Sequence, residues 1–362
     1  MKIRQIRYDE RGAIAMITVI STLGIMGLLA FVIDFGQVYV ARQELRNVAD
    51  SAALAATRQM AEILKTKSTL VLQDSSFTLS SSERAQVIAA AANVAVQNKV
   101  GGHSITLDTA SDVSVGVWDM ATSSFGPAVP GTIPDAVQVV ARRDSSSNGP
   151  VTAYFAQMMG VNNFNVSAPA TAALLPVGAV PPGGIGLPIG INDEVFAAGA
   201  CGDSIKMYPT GTMDACAGWH TFGENANANN LNDILDDLNN GSGGILPGGE
   251  SPAVQVGESV NFVGGTITSA LQSMQDLYNA KQVGGIMEGV VLVYDGDTSC
   301  SNPNTALPVV GFAKVSITSV QVTSNPKEIR GQIQCEVING RPSRGGGGID
   351  TLTKSGFAVL VS

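Results

Sequence analysis

Residues 12–36 read GAIAMITVISTLGIMGLLAFVIDFG, and this stretch decides the architecture of the chain. Ala13–Ile33 contains no charged residue, and a helix of that length rises about 30 Å, which matches the hydrocarbon core of a bilayer. The run is longer than the apolar region of a cleaved secretion signal, and Val32–Phe35 makes a poor cleavage site. We therefore predict a permanent transmembrane helix over residues 13–33.

Processing of the type IV pilin kind is an alternative that the sequence leaves open. Such a leader needs a glycine at the cleavage point, and Gly12 supplies one. It also usually carries a glutamate five residues further on, where this chain has Ile17. A chain cut after Gly12 would be a processed minor pilin.

The flank before the apolar run predicts the orientation. Residues 1–12 carry four basic side chains against two acidic ones, namely Lys2, Arg4, Arg7 and Arg11 against Asp9 and Glu10. Cytoplasmic flanks of membrane helices are enriched in lysine and arginine. We therefore expect residues 1–12 in the cytoplasm and everything after residue 33 in the periplasm or at the cell surface.

Charge argues against a nucleic-acid partner. The 362 residues carry a formal net charge of −9 and only 14% charged side chains. Binding to nucleic acid depends on lysine and arginine that neutralise phosphates, and such a balance does not supply them. The expected partners are therefore membrane lipid and other proteins.

The helix is expected to continue beyond the membrane as a stalk, because residues 37–64 contain neither proline nor glycine. Apolar residues there follow alternating three- and four-residue spacing, which places them on one helical face. This interaction seam consists of Val38, Ala41, Leu45, Val48, Ala52 and Ala55. Packing on the exported part of the same chain is the expected role, and self-association or docking to a partner helix is the alternative.

The region around the apolar run resembles the N-terminal part of TadG-like proteins of the Flp (tight adherence) pilus-assembly systems. The motif residues that carry the resemblance are Gly12, Asp34, Gly36, Tyr39 and Asp50, the last within the run ADSAALAA. Residues 153–172, AYFAQMMGVNNFNVSAPATA, show a weaker similarity. The resemblance implies a bacterial inner-membrane protein that works with other pilus-assembly or envelope proteins in building an adhesive pilus.

Longer relatives carry a von Willebrand A-type domain, whose metal site uses Asp-x-Ser-x-Ser. That pattern occurs here at Asp297, Ser299 and Ser301. The aspartate does not directly follow a strand, and SNPNTALP stands where a helix should begin. We predict an ordinary loop and no metal ion, and an anchored metal-dependent adhesin or periplasmic hydrolase is the competing hypothesis.

The exported part is expected to be α+β. Ser80 and Glu83 have capping-box spacing at the start of a helix that ends before Gly101. Strands are predicted at SITLD, VSVGVWD and DAVQVVARR, followed by a helix over 151–160 and a strand over 164–174. Residues 34–177 would form a stalk helix plus a pilin-like α+β region, 178–188 a Pro/Gly linker, and 189–362 a second strand-rich α+β interaction region.

Four cysteines, Cys201, Cys216, Cys300 and Cys335, lie beyond that linker. An even count in an exported region predicts disulfides. Pairing of neighbours, Cys201 with Cys216 and Cys300 with Cys335, is the preferred of three connectivities. Free thiols and a zinc site are the alternatives, although no Cys-x-x-Cys pair is present.

The sequence predicts no enzyme and no cofactor. The chain has two histidines, of which His103 follows a glycine pair and His220 lies beside Trp219. The acidic residues of a predicted helix, Asp233, Asp236 and Asp237, are expected to form a solvated face, and Gly345–Gly348 a hairpin loop. No nucleophile elbow, phosphate-binding loop or zinc-protease motif is present in the sequence.

Overall fold

The structure, a computed structural model, describes residues 10–67, 69–72, 74–207, 217–264, 267–296, 303–323, 327–336, 338–342 and 356–361. Its helices are α1 Glu10–Lys65, α2 Thr69–Leu72, α3 Ser81–Gln97, α4 Asp193–Ala198, α5 Ala228–Asn240 and α6 Thr268–Lys281, with 3-10 turns at Ala156–Met159 and Pro247–Gly249. The class is α+β, with a long apolar helix followed by strand-rich sheets, as the sequence predicts.

The strands are β1 Lys99–Val100, β2 His103–Ser104, β3 Val113–Asp119, β4 Ser124–Pro127, β5 Ala136–Arg143, β6 Val151–Thr152, β7 Asn163–Phe164, β8 Val166–Leu175, β9 Val177–Val180 and β10 Ile189–Asn192. They continue as β11 Ser204–Lys206, β12 Ala217–His220, β13 Val254–Gln255, β14 Ser259–Val263, β15 Met287–Tyr294, β16 Ala306–Gln321, β17 Glu328–Gln334, β18 Arg341–Pro342 and β19 Phe357–Leu360.

Helix α1 is one unbroken element of 56 residues, which confirms the predicted continuation of the apolar run into a stalk. At about 1.5 Å per residue it is roughly 84 Å long, far more than a bilayer requires. No proline interrupts it, and Lys65 in its last turn complements the negative end of the helix dipole. The helix therefore has two parts, an uncovered first half and a second half that packs on the rest of the chain.

The first α+β unit is a five-stranded antiparallel sheet in the order β19-β8-β5-β3-β4, with α1 and α3 on one face. Alternate residues of β5 and β8 point toward α1, so that Val139 and Ala170, which lie opposite each other, are both buried. Helix α3 begins at the predicted capping box, in which Ser80 accepts a hydrogen bond from the Glu83 amide and Glu83 accepts one from the Ser80 amide.

Two local predictions in this unit differ from the structure. The segment 151–160, predicted as a helix, begins as strand β6 and contains only one 3-10 turn, because β6 pairs with β7 in a hairpin. The strand predicted over 104–108 is confined to His103–Ser104. In both places the pairing of strands in the folded chain, β6 with β7 and β1 with β2, overrides the secondary structure that the local sequence favours.

The second unit contains a closed ring of strands. Strand β16 pairs with both β14 and β15, β15 with β10, β10 with β12, and β12 with β14, so five strands return to their starting point. Only the β10–β15 pair is parallel. The 16 residues of β16 make this possible, because β14 pairs with its first residues, Ala306–Pro308, and β15 with later ones, Val309–Ile317. Outside the ring, β16 also pairs with β17. Helices α5 and α6 pack against each other beside the ring.

The segment 178–188, predicted to be a linker, is instead part of the folded structure. Strand β9 runs through Val180 and pairs with β13 and β18 of the second unit. Ile185 and Leu187 are buried in the core of that unit. Proline and glycine in this segment mark a tight turn, in which Gly183 has a φ of 73°, and not a free connection between domains.

The last described strand, β19, also departs from the predicted division at residue 189. It pairs with β8, from Phe357 opposite Leu175 to Leu360 opposite Ala172, and so completes the sheet of the first unit. The second unit is therefore inserted between strands of one sheet.

Candidate functional site along the long helix

The apolar half of α1 is uncovered by any other part of the described chain. The helix is long and apolar enough to cross a membrane, and its most hydrophobic stretch has no residue buried within the protein. Large side chains such as Leu23, Leu28 and Phe31 are each more than half exposed. A stripe of this size is far larger than the apolar patches of ordinary soluble surfaces, and it requires an apolar environment.

Asp34, a motif residue at the end of this stretch, is held by a distant segment. Its carboxylate accepts hydrogen bonds from the backbone amides of Tyr154 at 2.7 Å, Phe155 at 3.0 Å and Ala156 at 2.5 Å. These amides begin the 3-10 turn and have no acceptor within that turn. The side chain, only 4% exposed, thus clamps the β6–β7 hairpin to the helix.

The environment of the clamp keeps Asp34 ionised. Desolvation would raise the pKa of its carboxyl, but the amides of Tyr154, Ala156 and Phe155 outweigh it and hold the pKa below its ordinary value. Hydrogen bonds from amides to a carboxylate favour the charged form. The clamp is therefore formed at neutral pH.

The interaction seam lies against the chain's own core. Ala41, Leu45, Val48 and Ala52 are buried beneath the sheet and α3, and Val38 packs at the edge of the same cluster. Ala55 is half-buried. Packing on the same chain, the expected role of the seam, accounts for these positions in the structure.

The alanines of the ADSAALAA motif allow the helix to approach the sheet closely. Ala49, Ala52, Ala53 and Ala56 are fully covered, and strand β8 presents small residues to them. Thr57 at the end of this stretch donates a hydrogen bond of 3.1 Å to the carbonyl oxygen of Ala172 on β8. The motif is therefore a helix-to-sheet contact, with Asp50 half-buried at its edge.

The opposite face of the stalk remains open. Tyr39, Gln43, Arg46 and Asn47 are exposed. Around Gly36 an added Cβ would meet no atom of another residue within 4 Å. This face, defined by Tyr39, Gln43, Arg46 and Asn47 and called here the outer face of the stalk, is the part of the motif region that a second protein can reach. Gly12 lies inside α1, at its beginning.

The cysteine pairing predicted from proximity in sequence is wrong. Cys201 and Cys335 form a disulfide with an S–S distance of 1.97 Å across 134 residues of sequence. Cys201 lies between α4 and β11, and Cys335 directly follows β17. The pairing of β11 with β17 brings the two cysteines together, and sequence spacing could not show this. Cys216 and Cys300 lie outside the described residues. The Sγ atom of Cys201 also lies 3.2 Å from the carbonyl oxygen of Lys65, the last residue of α1.

The remaining candidates lie apart from one another. His103 is exposed in β2, and His220 is fully buried between the rings of Phe222 and Phe262, where desolvation lowers its pKa to about 3. Asp233 and Asp236 are exposed as expected. Within the described ranges no group of three or more metal-binding side chains occurs. Asp297, Ser299, Ser301 and Gly345–Gly348 lie outside the described residues.

Asp237 departs from the predicted solvated face. It is buried, and its carboxylate accepts hydrogen bonds from the amides of Gly244 at 2.7 Å and Leu246 at 2.8 Å. The residue thus fixes the loop after α5, a structural role that carboxylates commonly have near a helix end.

An uncovered apolar helix that continues into a folded α+β unit fits the class of single-pass membrane proteins. Residues 12–59 match the family model described as Flp pilus-assembly TadE/G-like, and residues 73–172 match the model described as Tad-like Flp pilus-assembly. The resemblance to TadG-like pilus-assembly proteins is thereby confirmed. Neither curated proteins nor solved structures gave a match.

Proposed function

We propose that the chain is a single-pass inner-membrane component of a bacterial Tad (Flp) pilus system that acts by protein–protein contacts and not by catalysis. The observation that carries this proposal is the junction at Asp34. There the uncovered apolar stretch ends, and the two family-matched regions, residues 12–59 and 73–172, pack into one unit. A helix built in this way anchors a domain at a fixed distance from the bilayer.

The proposed orientation places residues 1–12 in the cytoplasm and the two folded units in the periplasm or at the surface. The basic flank supports it through the positive-inside rule. The Cys201–Cys335 disulfide supports it independently, because disulfides persist in oxidising compartments.

Partner contacts are proposed for the outer face of the stalk and for the second unit. The seam residues are covered by the chain's own sheet, so self-association through them would require that the first unit opens. The outer face needs no rearrangement, because Gln43, Arg46 and Asn47 are already exposed. Its charged and polar side chains suit a non-obligate protein interface better than lipid.

Photo-cross-linking in intact envelopes tests this assignment. A photoreactive residue at Gln43 should give an adduct with another pilus-assembly protein. The same residue at Leu45, which is fully buried two positions away, serves as the matched control and should give none. Adducts at Leu45 with a second copy of the chain, and none at Gln43, would instead establish self-association through the seam.

Topology and processing are tested separately. Protease added to spheroplasts should digest residues beyond 34, and a protected C-terminal part would overturn the orientation. Mass spectrometry of the mature N-terminus distinguishes an anchored protein from a processed minor pilin, because cleavage after Gly12 leaves Ala13 as the first residue.

A further inference from the structure

Residues 154–161, YFAQMMGV, form an exposed apolar tip at the end of the β6–β7 hairpin. Met158 and Met159 are 88% and 87% exposed, and Tyr154 is 63% exposed. No charged residue occurs between Asp144 and Asp193. Two neighbouring methionines that are almost fully exposed on a folded surface indicate a contact with an apolar partner.

The apolar tip is closed by backbone hydrogen bonds. At its base the Ala153 amide donates a hydrogen bond of 2.9 Å to the Asn162 carbonyl. In its turn the Val161 amide donates one of 3.0 Å to the Ala156 carbonyl. Gly160 makes the turn with a φ of 88°. Ala153 is fully buried, so the base belongs to the folded unit while the side chains beyond it point outward.

The position of the apolar tip relative to α1 follows from its contacts. Val151 and Thr152 line one cleft together with Val40 and Ala41, and the next residues, Tyr154–Ala156, reach Asp34. From residue 151 to residue 156 the hairpin therefore runs along the helix toward the apolar stretch. The apolar tip lies at the level where that stretch ends.

We propose that the apolar tip inserts into the interface of the bilayer that α1 spans, in the leaflet nearest the folded units. Continuity with the membrane helix argues for lipid as the occupant, because Asp34 fixes the apolar tip beside the last turn of the uncharged run. Tyr154, whose amide binds the Asp34 carboxylate, and Tyr39, five residues after Asp34, are both more than half exposed, and tyrosine is characteristic of the membrane–water interface. The proposal rests on the membrane anchoring proposed above.

The apolar tip would give the stalk a second membrane contact. A single helix leaves the attached domain free to tilt and rotate, whereas two contact points joined by the Asp34 clamp fix the orientation of the sheet over the bilayer. Apolar side chains at the headgroup and acyl boundary supply such a contact through their buried area.

Tryptophan quenching in brominated lipid tests the proposal with the full-length protein in phosphatidylcholine–phosphatidylglycerol vesicles. Three single variants are compared with the unsubstituted chain, whose Trp118 and Trp219 give the common background. Met158→Trp reports the apolar tip, and Leu29→Trp reports the membrane helix. Val129→Trp is the control, because Val129 is exposed and lies at the other end of α1 from the membrane. Its neighbour Gly131 donates an amide hydrogen bond to the carbonyl of Phe77, which follows the end of α1.

The expected result is loss of the added fluorescence in brominated vesicles for Leu29→Trp and Met158→Trp, and no loss for Val129→Trp. The Met158→Trp emission should also shift to shorter wavelength relative to Val129→Trp. Quenching at Leu29 with none at Met158 would overturn the insertion of the apolar tip and leave the anchoring intact. Absence of quenching at Leu29 would overturn the anchoring, and the tip proposal with it.

Discussion

Asp135 is a partly desolvated carboxylate at the start of β5. Its Oδ1 accepts a hydrogen bond of 2.7 Å from the Trp118 amide on β3. Burial nevertheless dominates and raises the pKa of Asp135 from 3.8 to about 6. The folded chain therefore holds a proton on Asp135 at pH values where the unfolded chain has released it.

This pKa shift predicts a loss of stability as the pH rises from about 4 to about 6, worth about 3 kcal/mol at most. Asp135→Asn keeps a carbonyl acceptor for the Trp118 amide and removes the charge. The variant should match the unsubstituted chain near pH 4 and unfold at a higher temperature at pH 7. Thermal unfolding of the detergent-solubilised protein across this range measures the difference.

Asp119→Asn is the control for that experiment. Asp119 lies at the end of β3, where hydrogen bonds from Thr122 and Ala121 lower the pKa of its carboxyl. Replacing Asp119 by asparagine should therefore not raise the melting temperature at pH 7. If the melting temperatures of Asp135→Asn and the unsubstituted chain changed with pH in the same way, the prediction would be contradicted.

The Asp34 clamp predicts a local effect of substitution. Asp34→Ala removes the acceptor of three backbone amides, so hydrogen exchange at Tyr154, Phe155 and Ala156 should accelerate. Asp50→Ala, on the same helix but half-buried and away from the hairpin, should leave exchange there unchanged. Equal exchange in Asp34→Ala and the unsubstituted chain would show that the hairpin is held without the clamp.

At the residue scale the sequence identifies Asp34 but not its role. The family motif around Asp34 indicates that the residue has a role, whereas its hydrogen-bond partners lie 120 and more residues away in sequence. Nothing in a one-dimensional pattern links a carboxylate to backbone amides, because every non-proline residue offers the same donor. Spacing failed for Cys201 for the same reason, since its partner was set by strand pairing.

At the scale of elements, the contact of α1 with β8 depends on small side chains. Ala52 is fully buried in this contact, whereas Gln43 on the outer face of the stalk is exposed. Larger side chains would separate helix and sheet, because packed interiors have little room for additional methyl groups.

Ala52→Leu should therefore lower the free energy of unfolding by about 1–3 kcal/mol. Gln43→Leu adds an apolar side chain of the same kind at an exposed site of the same helix and should change it by less than about 0.5 kcal/mol. Denaturant unfolding of both variants in detergent gives the comparison. Equal stability of the two would mean that the alanine contact is loosely packed.

The sequence predicts α1 well because composition and length determine a long helix almost alone. It also predicts the seam, since three- and four-residue spacing defines one face. The sequence does not predict what packs on that face, because the same apolar stripe can pack against another helix or against a sheet. The sequence does not predict the ring of five strands either, because its closure depends on β16 pairing with both β14 and β15.

At the scale of the whole molecule, a disulfide braces the second unit where that unit meets the end of α1. The Cys201–Cys335 bridge closes a loop of 134 residues beside the end of α1. Replacing both cysteines by serine should lower the free energy of unfolding by about 2–5 kcal/mol, because long loops lose the most entropy on closure. Reductant should lower the free energy of unfolding of the unsubstituted chain by at least as much, and a stability that does not respond to reductant would contradict the prediction.

The same bridge leaves one intramolecular pairing for the other two cysteines, which lie outside the described residues. We therefore predict that Cys216 pairs with Cys300. Their described neighbours agree, because an added Cβ on Gly218 would lie 2.6 Å from the Pro303 ring. Peptide mapping under non-reducing conditions should recover one fragment containing Cys216 and Cys300, and a free thiol at either would refute this pairing.

Strand β19 joins the sheet of the first unit although it follows the second unit in sequence. It pairs along β8, and its side chains reach both cores, with Phe357 against the second and Ala358 against the first. No sequence pattern predicts this return, because four apolar residues fit the edge of either sheet. Truncation after Gly356 removes β19 and should therefore lower the stability of the first unit, although the removed residues lie far from that unit in sequence.

The truncation leaves β8 as an unpaired edge and uncovers apolar residues of both cores. We expect a lower melting temperature for the first unit, faster hydrogen exchange along β8 and aggregation through the new edge. Leu360→Ser is the matched control, because it keeps the backbone pairing and changes a side chain that is 39% exposed. If the truncated chain kept the exchange protection of β8, the first unit would be complete without β19, and residues 189–362 would be a separable domain after all.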